Sequence, residues 1–482
     1  MNGFFGVAMG GGSEERFEAY VEALARALGH ADRAVPFRHD TTGLLLPLER
    51  KSVEPMAARA DPTRVGAAHQ SLHHFVAKAG WSDDALLAAV RREVLPSLEA
   101  QGGIEAWIID DTAFPKKGQH SVGVARQYCG QLGKQDNCQV AVSLSVASEA
   151  ASLPIAWQLY LPEPWANDPV RRAKAGVPDD VTFHTKPALA LQQIGAALAA
   201  DVPRGVVLAD GGYGADMKFQ AGLLALGLDY VVGVQAHATV WPDGTAPLPP
   251  KPWCGRGRRP HNLRRTPDHG PVQVRPWAQA LAPAAWQRVT WREGSNAAPT
   301  SRFAATRVRP AHRDDQRREP WPELWLLVEW PEGEVEPTKF WFANLAADVT
   351  LDALVRLAKR RWRIERDYLD LKQELGLGHY EGRGWRGFHH HASLCIAADG
   401  FLVRERLAFS PSGTDGTPGL RRRLPALPEG FVPRGRTAKT RAARPHLHRQ
   451  PPLRPHPPPC ASPTQMPVLP ASKVSHIHVM TQ

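Results

Sequence analysis

The chain has 482 residues, 43% of them hydrophobic, and a formal net charge of +11. That length allows two or three domains and a substantial core, and no run approaches the roughly 18 apolar residues a membrane span needs. The N-terminal MNGFFGVAMGGG lacks the charged start and long apolar stretch of a secretory leader, so a cytosolic protein with no membrane partner is expected. Eleven Lys or Arg stand against Glu429 alone in residues 421–482, so residues 1–420 are close to neutral and bulk charge does not by itself assign a nucleic-acid partner.

In chain order, residues 13–32 repeat Phe17, Tyr20, Val21, Leu24 and Leu28 at helical spacing, and residues 82–99 do the same, so the first hundred residues read as helical. From residue 104 the period changes. IEAWIID, SVGVARQY, CQVAVSLSVA and IAWQLYL are β-rich runs separated by Gly, Pro and polar turns. An Ala/Leu-rich helix over 187–200 leads into GVVLAD, an apolar strand ending in Asp210 and followed by GGYGAD. After YVVGVQAHATVW the chain turns irregular and rich in Trp, Pro and Arg to about residue 335, before a strand KFWFANL and one long helix over 350–376. From residue 410 the Pro- and Arg-rich sequence cannot bury enough apolar surface to offset its ordering entropy, and disorder is expected. The five cysteines are spread without a CxxC pair, which predicts reduced thiols rather than a zinc knuckle.

Two apolar strands thus end in acids, AWIIDD at Asp110 and Asp111 and VVLAD at Asp210. A carboxylate there has its backbone fixed by a sheet while its side chain faces the crevice beyond, an arrangement that suits a metal ligand; a single such acid also suits a turn or helix cap. A third acid comes from the helix LDALVRLAKRRWRIERDYLDLKQELG. At about 100° per residue, Arg361, Tyr368 and Lys372 share a stripe with Glu365 bordering the apolar face, whereas Glu374 and Asp367 turn towards solvent. Glu365 is therefore the candidate, although Arg361 and Glu365 at i, i+4 also make an ordinary surface pair. Three converging carboxylates repel one another unless cations join them, and hard oxygen donors favour Mg²⁺ or Mn²⁺. Two such ions roughly 3.5 to 4 Å apart suit in-line phosphoryl transfer.

Weaker signals remain open. KPWCGRGRRPHNLRR places Lys251, Arg256, Arg258, Arg259, Arg264 and Arg265 within fifteen positions, either a solvated loop or part of a DNA-binding face. His389, His390 and His391 point to different sides of a helix and suit structural or phosphate contacts better than one metal. Trp241, Trp253, Trp277, Trp286 and Trp291 are core residues or include one that stacks on a base.

The blocks IIDDTAFPKKGQHSVGVARQYCGQLGKQDNCQVAVSLSV, VVLADGGYGAD and RRWRIERDYLDLKQELGLGHYEGRGWRGFHHH, with TTGLLLPLERKSVEPMAAR before them, resemble the DDE transposases of bacterial insertion sequences. The resemblance covers about residues 30–408. It implies an α/β fold with an RNase H-like mixed sheet and flanking helices. The expected divisions are a helical DNA-binding region at 1–103, a catalytic core at 104–235 and 338–408, a β-rich insertion at 236–337, and a basic tail at 409–482. By resemblance Asp110, Asp210 and Glu365 hold the metals, with Asp111 a rival for the first position. Arg361 and Lys372 match the family's Arg and Lys positions and would hold DNA phosphates, and Arg258 and Arg259 are expected to touch DNA as well. Where the family carries a Tyr this chain has Ala358, and Tyr368 on the same stripe is the possible substitute. Double-stranded DNA, as terminal inverted repeats and target, is the implied partner of a homodimer at the nucleoid. The sequence beyond the FHHHASLC helix departs from the family, as a frameshifted or decaying copy would.

Overall fold

In the computed structural model the described residues are 12–292 and 299–409. They fall within one compact unit; the second unit, residues 430–482, lies outside them, as does the expectation of a disordered tail.

Five helices come first: α1 (Ser13–Ala25), α2 (Ala34–Leu45), α3 (Val53–Ala60), α4 (Val65–Ala77) and α5 (Asp83–Glu99). The apolar spacing of α1 buries Phe17, Tyr20, Val21 and Leu24, and Ser82 caps α5 by accepting the Ala85 N–H. Of these, α1 reaches the last helix, α14 (Trp385–Ala408), through Phe17 and Tyr20, and α2, α4 and α5 pack on it. That helix is buried on nearly every side, as a helix surrounded by protein must be. The Tyr20 hydroxyl donates to the Ala397 carbonyl, and Gly400 makes room for it, since a Cβ there would lie 2.6 Å from that hydroxyl.

The rest of the fold is built on a twelve-stranded sheet. Strands β1 (Ala106–Pro115), β2 (Ala125–Cys129), β3 (Lys134–Ala147) and β4 (Ser152–Leu159) form an antiparallel group, with β2 and β4 both pairing with β3. Short helices α6 (Glu163–Ala166) and α7 (Pro169–Ala175) precede α8 (Lys186–Ala199), which crosses one face of the sheet. The chain then returns as β5 (Val206–Ala209), parallel to β1. After α9 (Gly211–Gly214) and α10 (Met217–Ala225), β6 (Tyr230–Val234) adds in parallel to β5. The resulting order is β4–β3–β1–β5–β6, three antiparallel strands followed by two parallel ones.

The stretch from 236 to about 335, read as irregular and by resemblance as β-rich, carries five strands joined by long loops. β7 (Thr239–Pro242), β8 (Val272–Gln273), α11 (Val274–Gln279), β9 (Gln287–Thr290), β10 (Thr300–Pro310), β11 (Leu324–Trp330) and β12 (Lys339–Ala343) continue the same sheet outwards from β6 through β12, β11 and β10. Its Trp and Arg content masked the alternation. Arg302 lies opposite Trp330 and Arg307 opposite Trp325 in the β10–β11 register, each guanidinium stacked on its partner's ring.

The long helix expected over 350–376 is three pieces: α12 (Leu351–Arg360), α13 (Trp362–Leu369) and a π-helical turn, Asp370–Glu374, with Arg361 at the first joint. A uniform rotation per residue does not hold across these breaks. Glu374 is exposed as expected, but Asp367 is buried, because the Ser152 hydroxyl on β4 gives its carboxylate a polar seat. No helix among the described residues is long and apolar enough to cross a membrane.

Candidate active site

The β1–β5 register pairs Ala106 with Val206 and Ile108 with Leu208. The pairing ends there: Asp210 stands two residues past Leu208, just beyond β5, as expected of a strand-end acid, whereas Asp110, two residues past Ile108, is not at a strand end as expected but midway along β1, which runs on to Pro115. Asp210 lies just past β5, where its Oδ1 accepts the N–H groups of Gly212 (2.8 Å) and Tyr213 (3.3 Å) and so caps α9. The glycines of GGYG are needed for this turn to lie on the sheet: a Cβ on Gly214 would fall 1.8 Å from the Gly233 carbonyl of β6.

Alternation along β1 separates the two acids of AWIIDD. Asp111 meets Lys186 of α8 at 2.7 Å. Asp110 faces the other way, towards the α12–α13 joint, where its Oδ2 accepts from Arg361 at 2.7 Å and its Oδ1 from the Asp111 N–H at 2.8 Å. The second arm of Arg361 binds Glu365 at 2.7 Å. One guanidinium therefore bridges two of the three predicted acids. Burial opposes its charge, but Asp110, Glu365 and Asp210 together outweigh that and raise its pKa. Asp110, with 15% of its side chain exposed, is pushed up to about 7 by burial; Arg361 pulls the other way, and Asp210 and Asp111 add to the rise.

Tyr368 reaches the same face. Its hydroxyl meets that of Ser143 at 2.7 Å, and Ser143 is the β3 residue opposite Asp110. Tyr213, after Asp210, is buried with its hydroxyl unpartnered among the described residues and is pushed well above the usual tyrosine range by burial and then by Asp111, Tyr368, Asp110 and Asp210. Sequence reasoning missed Tyr213, Ser143 and Lys186. For Ser143 the signal was available, since a hydroxyl in an otherwise apolar central strand needs a partner. Lys372 donates to the Ala113 carbonyl of β1 at 2.8 Å and lies over the Phe114 ring, and burial lowers its pKa to about 8.

Other predicted residues lie elsewhere. Arg258 and Arg259 are exposed on the loop between β7 and β8, six strands along the sheet from β1. Of that basic run, Arg265 is tied to buried Asp314 and Arg264 donates to the Pro249 carbonyl at 2.9 Å, so these two hold the loop while Lys251, Arg256, Arg258 and Arg259 stand out from it. Trp253 on the same loop is 52% exposed, whereas Trp241 is buried. The three histidines are structural. His389 accepts the Leu159 N–H, His390 stacks on Trp81 between the Val76 and Trp81 carbonyls, and His391 meets the Gly376 carbonyl.

Residues 23–298 match the family model described as DDE superfamily endonuclease. The chain belongs to that family. The matched part includes Asp110 and Asp210 and stops before Glu365. The chain is also 30% identical over 202 residues to a probable transposase for insertion sequence element IS701 from Microchaete diplosiphon, a stretch that covers 42% of this chain and 49% of that protein. The match thus spans about half the length of its curated relative.

Asp110 and Glu365 hold a guanidinium between them instead of closing on one point. Among the described residues no group of three or more His, Cys, Asp or Glu side chains is placed to hold a metal ion together. The donor chemistry nevertheless suits a hard divalent cation: only oxygens converge, and a positive charge already stands between Asp110 and Glu365.

Proposed function

We propose that the chain is a transposase that binds the terminal inverted repeats of a mobile element, cleaves its ends and joins them to target DNA. The observation that carries this reading is the nearness of Asp110 on β1 to Asp210 just past the neighbouring parallel strand β5, with Arg361 at the α12–α13 joint bonded to both Asp110 and Glu365. The strand order β4–β3–β1–β5–β6 is the one expected of an RNase H-like core and supports the same reading.

Asp110, Asp210 and Glu365 would hold Mg²⁺ or Mn²⁺, as two ions, with Glu365 joining once Arg361 releases it. Such a pair, when bound, activates a water or a 3′-hydroxyl and stabilises the leaving oxygen. The chain's own residues supply the setting. Asp110 would serve as a ligand in its ionised form, and Arg361, once free of the two carboxylates, would offer its two-pronged donor face to a phosphate. Tyr368 and Ser143 fix the face of β1 on which Asp110 stands. Lys372 sits one turn beyond and adds positive charge along β1, while Arg258 and Arg259 meet DNA at the far end of the sheet. The helical N-terminal region and the insertion bind the ends. Cutting both ends in one complex calls for two copies of the chain on DNA.

A second reading, a DNA-binding protein that does not cut, is favoured by one observation: Arg361 is bonded to both Asp110 and Glu365. Purified protein with Mg²⁺ and a duplex carrying an element end separates the two. Cleaved and joined products that vanish with Asp210→Ala support the transposase. Cleavage without joining marks a nuclease, and binding without cleavage, unchanged by Asp210→Ala, marks the second reading.

A further inference from the structure

Past its acids β1 runs on to Pro115 and opens into a cleft of about 690 Å³. Three distant parts of the chain line it: Glu49 and Arg50 between α2 and α3, Pro115 to Ser121 after β1, and Gly378 to Arg383 before α14. These walls are tied together. The Asn137 side chain donates to the carbonyls of Lys116 (3.0 Å) and Gly118 (2.8 Å), and Lys116 donates to the Tyr380 carbonyl at 2.9 Å. Lys51, buried, donates its amine to the Leu44 and Glu374 carbonyls and its N–H to His379 Nδ1 at 3.0 Å. Arg50 pairs with Glu381.

Once that pair is formed, Glu49 alone faces Lys116, Lys117 and Arg383. Lys117 and Arg383 are exposed and make no ion pair among the described residues. A preorganised cleft with uncompensated cations fits a polyanion. Its position narrows the choice, for Lys116 is six residues from Asp110 along β1, about 20 Å. Lys372 lies between them, on the Ala113 carbonyl. DNA rises about 3.4 Å per nucleotide, so one strand would cover that span in about six.

We propose that this cleft is a separate DNA site, which takes backbone phosphates of duplex DNA about six nucleotides from the phosphate at the carboxylates, with Lys117 and Arg383 as the contacts. The register to the reacting phosphate rests on the transposase reading; the phosphate contacts do not. The test titrates full-length protein with a fluorescent 30-base-pair duplex of mixed sequence between 50 and 200 mM KCl. K117Q/R383Q is expected to reduce the slope of log affinity against log salt by about 2, one per lost phosphate contact, and to weaken binding uniformly across sequences. K117R/R383K, which keeps the charge, is expected to retain the wild-type slope, and the melting temperature of both variants to stay at the wild-type value. An unchanged slope in K117Q/R383Q overturns the proposal, as does a change seen with duplex RNA and not with DNA. Cleavage of an end-containing duplex by the wild type is measured in the same preparation. Loss of slope without wild-type cleavage leaves the cleft standing and removes the enzymatic reading; cleavage with an unchanged slope does the reverse.

Discussion

The Asp110 carboxyl keeps its proton to about pH 7 in the folded chain, against 3.8 in its ordinary state. Between those values the folded state binds more protons than the unfolded one, so this group's contribution to stability falls as pH rises from about 4 to 7. Asp110→Asn removes the effect. Its stability relative to the wild type, from denaturant titrations, is expected to be greater at pH 8 than at pH 4. Affinity for Mg²⁺, measured by calorimetry, is expected to rise with pH through the same window and then level off, since only the ionised carboxylate binds. The two disputed choices are settled by function: Asp110→Asn, Asp210→Asn and Glu365→Gln are each expected to reduce cleavage about a thousandfold or more, a loss of about 4 kcal/mol in transition-state stabilisation. Asp111→Asn and Glu374→Gln should keep it within a few-fold. Asp210 was legible because its apolar run stops at a carboxylate; Asp110 and Asp111 were read the same way, but their strand continues through buried Ala113 and Phe114 to Pro115. Which of Asp110 and Asp111 faces the helix was not, since neighbouring strand residues point to opposite faces and the deciding partner, Lys186, lies 75 positions away.

At the scale of elements, the joint between α12 and α13 decides where Glu365 stands, and it is held from outside. Lys359, two residues before Arg361, is paired with buried Glu329 of β11 at 2.5 Å and lies within 4.4 to 5.5 Å of the rings of Trp291, Phe303 and Trp341. Lys359→Met would strand the Glu329 carboxylate among these rings, at a cost of about 3 kcal/mol. Limited proteolysis should then cut the 280–335 stretch at a protein concentration and temperature where the wild type resists. Gly214→Ala tests the other end of the site, because its Cβ must displace either α9 or β6. We expect at least 2 to 3 kcal/mol of destabilisation, roughly, and loss of cleavage even in the folded fraction. Helix existence was readable from spacing, but the breaks at Arg361 and Asp370 were not, since the apolar stripe continues through both. Asp367 was misplaced for a related reason: its seat is a hydroxyl on a strand 215 positions earlier.

At the scale of the molecule, the insertion is not a separate body beside the sheet. Its strands extend the hydrogen-bonded order from β6 through β12, β11 and β10 to β7, whose loop to β8 carries Arg258 and Arg259. The Pro-, Trp- and Arg-rich composition hid this: apolar pairs such as Ala304 with Val328 and Ala305 with Leu327 join β10 to β11, but the Arg–Trp pairs Arg302–Trp330 and Arg307–Trp325 interrupt the alternation. An unbroken ladder has no hinge. β1, which carries Asp110, and β7, which leads into the arginine loop, are spaced like marks on a ruler, six strand places apart, or at about 4.8 Å per strand nearly 30 Å. A double helix that touches both ends of this ruler has to match a fixed length, so whatever curvature the fit demands must come from the nucleic acid, and base steps that kink cheaply would be selected without a single base edge being read.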